Sequence, residues 1–379
     1  MPGLLPLYAG FFYTGAMTVL LGAMLPRIAA LHHLRDSQSG ALLLSQFAAS
    51  AAGALLVRRR FGKTLMRGYL LMALGAVALL LMPAAWAAAA LVLFGLGLGM
   101  AMTSTSMLVT FLFPNARGSA LSILNFCWSL GATACPMIVA RMPGNYSLVA
   151  VCAPVAVLSA ALAAVFLRTS WPAVSRENLL PTRLHKSAIS MVVIFAAMAF
   201  LYVGTEATVG GWMSIYAARV AAWSFARSNL VAACFWAALL IGRGVTPAIL
   251  LLISESRLHL ISVVGASVGI LVLALAHDPA LLLAGACCTG LMLAPIFPLT
   301  ISLFISRSED TRNAGWVFAV GGFGGAVLPW LTGLLSTAAH SLRTGLLVSL
   351  AADLGMLPLL LLVISSRPRT RLEQIATDS

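Results

Sequence analysis

Apolar residues run through the chain in stretches too long for the core of a soluble domain, and polar residues collect between them. A helix needs about 20 mostly apolar residues to cross the hydrocarbon layer of a membrane. Read at that length, the sequence divides into twelve spans: 4–31, 37–57, 64–83, 86–113, 118–141, 146–167, 187–217, 224–253, 257–276, 279–305, 312–337 and 341–365. The longest polar interruption, RTSWPAVSRENLLPTRLHK at 168–186, splits them six and six. Two six-span halves joined by one longer loop is a design expected of transporters built from repeats. The expected fold is therefore an all-α membrane protein with twelve transmembrane helices in two pseudo-symmetric six-helix bundles. Its expected parts are residues 1–167, a cytoplasmic linker at 168–186, residues 187–366, and a cytoplasmic tail at 367–379.

An internal repeat supports the division. Span 4 into span 5 reads GLGLGMAMTSTSMLVTFLFPNARGSALSILNFCWSLGATACP, and span 10 into span 11 reads GLMLAPIFPLTISLFISRSEDTRNAGWVFAVGGFGGAVLP. Gly99 and Gly290 are 191 positions apart, Pro136 and Pro329 are 193 apart, and Gly53 and Gly242 are 189 apart. The glycines also suit close helix approach, because lipid supplies no hydrophobic force between helices and association rests on packing.

Composition agrees with a lipid-covered surface. Hydrophobic residues make up 61% of the chain and charged ones 9%, with a mean hydropathy of +1.01. Soluble domains carry about 25% charged residues. The formal charge of +13 would suggest nucleic acid if the basic residues formed one face, but they sit in the short loops. With both termini placed in the cytoplasm, 17 Lys and Arg lie inside and 6 outside (Arg27, Arg35, Arg141, Arg219, Arg227, Arg343), as the positive-inside rule requires. The expected location is the cell membrane, multi-pass, with the bilayer and a small solute as partners and no nucleic acid. The opening MPGLLPLYAGFFYTG lacks the basic region of a cleaved signal, so span 1 is expected to be retained.

The six cysteines, Cys127, Cys135, Cys152, Cys234, Cys287 and Cys288, fall in apolar spans without zinc-ligand spacing. No metal or cofactor is expected. No P-loop or zinc-protease helix appears, so neither ATP-driven transport nor enzymatic chemistry is expected. Asn145-Tyr146-Ser147 fits a glycosylation acceptor on an outer loop, which counts only in a secretory eukaryotic setting.

A charge in the hydrocarbon region is a functional hypothesis by default. Of ten acidic residues, only Glu206 and Asp353 lie deep in spans. Glu206 sits in FLYVGTEATVGGWMSIYA, with Tyr202 one turn before it and Gly210 one turn after, on one helical face. Gly210-Gly211 marks a bend that would turn backbone carbonyls toward a cavity. Burial disfavours the charged form of a carboxyl group, which makes Glu206 the candidate proton carrier; a structural hydrogen bond is the bland alternative. Asp353, in LVSLAADLGMLPLL, has no aromatic or amide neighbour and is read as a pairing or interface residue.

A ligand pocket pairs an apolar lining with a few placed polar groups. Asn125 and Trp128 share a helical face with Ser129 in span 5. Gln46 is the one amide deep in span 2, Tyr13 lies in span 1, and Trp236 and Arg243 are seven apart in span 8. Tyr202 and Trp212 flank Glu206, and Trp316 and Phe323 are seven apart in span 11. Rings stacking on C–H faces with amides on hydroxyls suit a neutral polyhydroxy solute. Each residue taken alone is as well explained by packing.

The segments YVGTEATVGGWMSIY (202–216), FWAALLIGRGVTP (235–247), LMLAPIFPLTIS (291–302), FAVGGFGGAVLPWLTG (318–333) and LNFCWSLGATACP (124–136) resemble the major facilitator superfamily over almost the whole chain. Within it they resemble the fucose–galactose–glucose:proton symporter branch, where Asn125 falls at the position of an amide associated with sugar binding. GALLVRRRFGKT (53–64) is similar to the superfamily's gating loop, which implies gating roles for Arg58, Arg59, Arg60 and Lys63, grouped with Arg243. The usual aspartate of that loop is missing. So are the acids typical of spans 1 and 4, where span 4 offers Thr103, Ser104, Thr105 and Ser106. Glu206 is left to carry a proton, to bind a cation such as sodium, or to hydrogen-bond the solute in a uniporter. The expected function is alternating-access transport of a hexose or related sugar. Efflux of lipophilic compounds is the alternative, followed by a non-transporting sensor.

Overall fold

A computed structural model describes residues 4–57, 60–113, 116–143, 146–169, 171, 186–307 and 314–365. Every regular element among them is helical: α1 (Leu5–Leu31), α2 (Asp36–Leu55), α3 (Phe61–Leu81), α4 (Ala87–Leu112), α5 (Arg117–Ala140), α6 (Leu148–Arg168), α7 (Lys186–Val220), α8 (Phe225–Ile249), α9 (Glu255–Leu275), α10 (Pro279–Leu293), α11 (Ile296–Arg307), α12 (Ala314–Ala339) and α13 (Leu342–Ser365). A single 3₁₀ turn, Ala84–Trp86, precedes α4.

The helices follow the expected spans to within a few residues, with one difference. The span expected at 279–305 is two helices meeting at Ala294-Pro295. Pro295 has no N–H to donate and its ring crowds the preceding turn, so the rod breaks there while the apolar stretch Pro279–Arg307 continues. Counted that way, eleven stretches among the described residues are long and apolar enough to cross a membrane. The twelfth rod, α2, is diluted by Ser37, Gln38, Ser39, Ser45, Gln46 and Ser50. Ser39 and Gln46 are buried against neighbours together with Leu43 and Ala49, while Gln38 is exposed near the helix start. The chain is an integral multi-pass membrane protein.

Helices start where the sequence supplies acceptors for the first free N–H groups. Ser147 Oγ accepts from the Ala150 amide, Ser224 Oγ from Arg227, and Asp278 Oδ1 from Ala280 and Leu281 at 2.9 and 3.0 Å.

Glycine contacts repeat between the halves. A side chain at Gly53 (α2) would strike the Leu96 carbonyl of α4, and one at Gly242 (α8) would strike Leu291 and Ala294 beside α10. Gly99 (α4) and Gly290 (α10) face back onto Ser50 and Phe235. Gly131 (α5) lies on the Phe12 carbonyl of α1, as Gly324 (α12) lies on the Phe200 carbonyl of α7. The offsets read from sequence thus correspond to equivalent helix crossings.

Between the halves, α2 packs on α12, α5 on α8 and α1 on α7. One end of the molecule is closed. There Asp36, at the start of α2, meets Arg219 near the end of α7 (2.7 Å) and accepts from Ser336 Oγ of α12 (2.5 Å), while the Ser37 amide donates to Thr337 Oγ1 at 2.8 Å. Tyr146 and Phe225 meet at a tilt, with ring centres 5.5 Å apart. Gly22 of α1 lies against Gly211 of α7 so closely that an added Cβ would sit 2.8 Å from the Gly211 carbonyl. At the opposite end, α4 has no comparable partner in the second half among the described residues.

Candidate functional site

Halfway along the molecule, α5, α7 and α8 converge. Glu206 comes from the middle of α7, and Tyr202, one turn earlier, donates its hydroxyl to Glu206 Oε2. Arg243 reaches the same oxygen from α8, with Nη2 at 3.3 Å. Its Nη1 crosses to the first half and donates to Ser129 Oγ of α5 at 2.9 Å. The pair is largely buried, with 21% of the Arg243 side chain and 12% of the Glu206 side chain exposed. A buried charge is tolerable only when paired and hydrogen-bonded, and here each charge neutralises the other.

An aromatic wall stands beside the pair. Trp128 of α5 and Trp236 of α8 meet edge to face, centroids 5.8 Å apart, and the Arg243 guanidinium lies 5.7 Å from the Trp128 ring centre. Gly210 makes room for Trp236, since a Cβ there would run into its ring. Tyr202 stacks on Phe297 of α11 at 5.5 Å. Trp128 is 8% exposed, and its indole Nε1 has no hydrogen-bond partner. The arrangement offers a donor, a neutralised ion pair and ring faces at the seam between halves.

Of the residues singled out in sequence, Glu206, Trp128, Tyr202 and Trp236 come together here. Arg243 joins them, and this corrects its grouping with the gating loop: it lies inside α8 and holds Glu206, away from any loop. Asn125 lies one turn from Trp128 and Ser129 on α5 and is exposed. Three others are placed elsewhere. Tyr13 turns to α6, donating to the Val155 carbonyl at 2.9 Å and sharing a hydrogen with Ser159 Oγ at 2.7 Å. Trp212 is fully buried and its indole donates to the Pro329 carbonyl of α12 at 3.0 Å, which fastens α7 to α12. Gln46 is buried within the first half, its amide donating to the Thr18 carbonyl at 3.2 Å. Aromatic or amide character in a span does not by itself reveal which face a residue occupies.

Trp316 and Phe323 are each 53% exposed and make no ring contact with one another. In the loop between α2 and α3, Arg58 and Arg59 lie outside the described residues, while Arg60 and Lys63 are exposed at the start of α3. Asn145 also lies outside them. The described cysteines are free, and no group of three metal-ligating side chains occurs among the described residues. Asp353 is fully buried between α13 and α9, with Oδ2 accepting from Ser267 Oγ at 2.6 Å.

Sequence reasoning passed over Asp36. It lies at a span boundary rather than deep in a span, but the topology puts Asp36 and Arg219 on one side of the membrane, the signal that could join them.

With this geometry in view, comparison with known proteins identifies the class. The family model of the Major Facilitator Superfamily matches residues 7–258, and the chain belongs to that superfamily. Among solved structures, it is similar to the D-xylose-proton symporter (TM-score 0.73, 15% identity, 93% of this chain and 96% of that one). It is similar to a bacterial homolog of the human lysosomal transporter Spinster in an inward-facing, occupied conformation (0.72, 12%, 96% and 96%). It is also similar to the transporter FucP in the outward conformation (0.63, 18%, 94% and 97%). At these identities the likeness concerns the fold. A curated relative, Bypass of stop codon protein 6 of Saccharomyces cerevisiae (strain ATCC 204508 / S288c), is 24% identical over 165 residues, 38% of this chain, and the match spans 32% of the relative's length.

Proposed function

We propose that this protein moves a small polar solute, a hexose or related sugar, across the cell membrane by alternating access, with Glu206 as the proton-coupling acid. The carrying observation is the cluster at the seam: one guanidinium joins Glu206 of the second half to Ser129 of the first. A solute lodged there would compete for the same donors and so bias how the halves meet, and differential binding of that kind is what shifts a two-state equilibrium.

A neutral, hydroxyl-rich ligand suits the electrostatics. The Glu206–Arg243 pair carries no net charge, and the Trp128 and Trp236 rings present C–H-binding faces beside an unused indole donor. Protonating Glu206 would release Arg243 from Oε2 and leave a free cation at the seam, which ties the proton to the contact between halves. With both termini in the cytoplasm, as the basic residues favour, the closed end faces outward and the conformation is inward-facing. The halves are taken as residues 1–167 and 187–366, joined by the cytoplasmic linker, with the tail after them.

Counterflow in proteoliposomes tests the solute class, because it requires only exchange. Saturable counterflow of at least one labelled hexose is expected. Failure of the whole hexose panel, alongside accumulation of an amphiphilic dye, would replace this reading with efflux.

A further inference from the structure

The first half contains a cavity separate from the seam. It has a volume of about 430 Å³, within the range of small-molecule sites. Five helices wall it, each contributing successive turns from its closed end toward the molecule's middle: α1 from His32 to Met17, α2 from Gln38 to Gln46, α3 from Met82 to Ala76, α4 from Ala87 to Phe94, and α6 from Leu148 to Val155. Along α1 that is 15 residues, a depth of about 22 Å at 1.5 Å per residue. The space lies on the side of α1 turned from the second half, for Gly22 meets α7 from another face. No residue of α7 to α13 lines it.

Its chemistry is sorted by depth. The walls are Leu, Ala, Met, Ile, Val and Phe, and the floor is closed by Gln46, whose amide is tied to Thr18. Polar groups otherwise gather at the mouth. His32 and Gln38 line it, and Gln38 spends its carbonyl oxygen on the Arg35 amide at 2.8 Å, which leaves its NH₂ as a donor. Arg35, whose backbone amide bonds Gln38, is exposed and lines the adjacent cavity that holds Asp36 and Arg219, and no carboxylate lines the apolar space itself. The neighbouring Asp36 is occupied by Arg219 and Ser336.

We propose that this cavity binds a single-chain anionic amphiphile, a long-chain fatty acid from the bilayer, with its tail along α1 and its carboxylate at His32, Gln38 and Arg35. A slot that opens where the spans end and runs apolar to mid-membrane matches a lipid tail in direction and depth. The mouth offers the donors His32 and Gln38 and no carboxylate, which suits a carboxylate head, and the bore between five helices admits one chain.

The test uses the full chain in nanodiscs of phosphatidylcholine and a palmitate bearing a photoactivatable diazirine on its tail, with adducts mapped by mass spectrometry. Adducts are expected on α1 between Met17 and Ile28 and on α3 between Ala76 and Met82, and unlabelled palmitate should displace them saturably. Ala88→Trp, at the mouth, should lower these adducts about tenfold, the loss expected from denying two methylenes their burial. Labelling of Ile261 and Val264, exposed on α9 in the second half, should stay unchanged. Arg35→Gln should weaken labelling by the acid and leave labelling by the matching diazirine alcohol as it was. The deeper Ala76→Trp blocks the slot more completely, and competition by palmitate needs no variant at all. Adducts spread evenly over lipid-facing positions, or cavity adducts that neither saturate nor respond to Ala88→Trp, would overturn the proposal. Preferential labelling by a diazirine phosphatidylcholine over the free acid would overturn the assignment of the ligand.

Discussion

The latch at the closed end gives a sharp test of the two-state reading. Asp36→Asn keeps the size of the side chain and one acceptor, but removes the charge that Arg219 and Ser336 share. Arg219 is 42% exposed and Asp36 10%, so solvent screens the ion pair and its contribution is about 0.5–1 kcal/mol. The Ser336 hydrogen bond loses its charged acceptor, about another 1 kcal/mol. Together that is about 1.5–2 kcal/mol, a shift of about 10–30-fold toward opening of this end. The assay is electron–electron distance measurement on a cysteine-free background, with spin labels at Leu31→Cys and Ala339→Cys, both exposed beside the latch. The open population should rise by that factor. Arg219→Gln should reproduce it, and the double variant should add little, because the two residues share one interaction. A distance distribution unchanged by Asp36→Asn, or fully additive single effects, would refute the latch.

Other outcomes follow from the same geometry. Gly22→Ala inserts a methyl group against the Gly211 carbonyl and should open the same end without touching any charge, read by the same labels. Arg243→Gln leaves Glu206 buried without its cation, so thermal stability should fall by about 3 kcal/mol or more; adding Glu206→Gln should restore much of the stability but none of the gradient-driven accumulation. Trp128→Phe removes an indole donor that no described residue uses, and should raise the KM for the solute about fivefold, the loss of one hydrogen bond, with little change in stability. Trp212→Phe removes a donor already committed to Pro329, and should cost about 1 kcal/mol of stability with KM unchanged. Melting curves and transport kinetics on the same preparations separate these two effects.

The fold was legible because the bilayer imposes one length and one polarity on every span. The repeat was legible because Gly99 and Gly290 do the same steric job at equivalent crossings, so their spacing survives divergence elsewhere. The break at Pro295 was written in the sequence, yet hydropathy averages over it. The site was half legible. Glu206 is conspicuous as a carboxylate in an apolar span, whereas its partner Arg243 is 37 residues away on another helix and no periodicity connects them. Tyr13 and Trp212 misled for a related reason: in a bundle that is apolar on both its lipid and its protein faces, an aromatic residue carries no sign of the direction in which it points. Gln46 belongs to neither case, since its position below the α1–α2 mouth depends on how five helices splay.

The central claim is that Glu206 couples a proton to solute movement at the seam. Uptake of the labelled hexose panel into proteoliposomes, with and without an imposed inward proton gradient, for the intact protein and Glu206→Gln, tests it most directly. Accumulation above equilibrium is expected to depend on the gradient and to vanish in Glu206→Gln, while the variant still equilibrates sugar. Uptake indifferent to the gradient, or gradient-driven accumulation that survives Glu206→Gln, would contradict it.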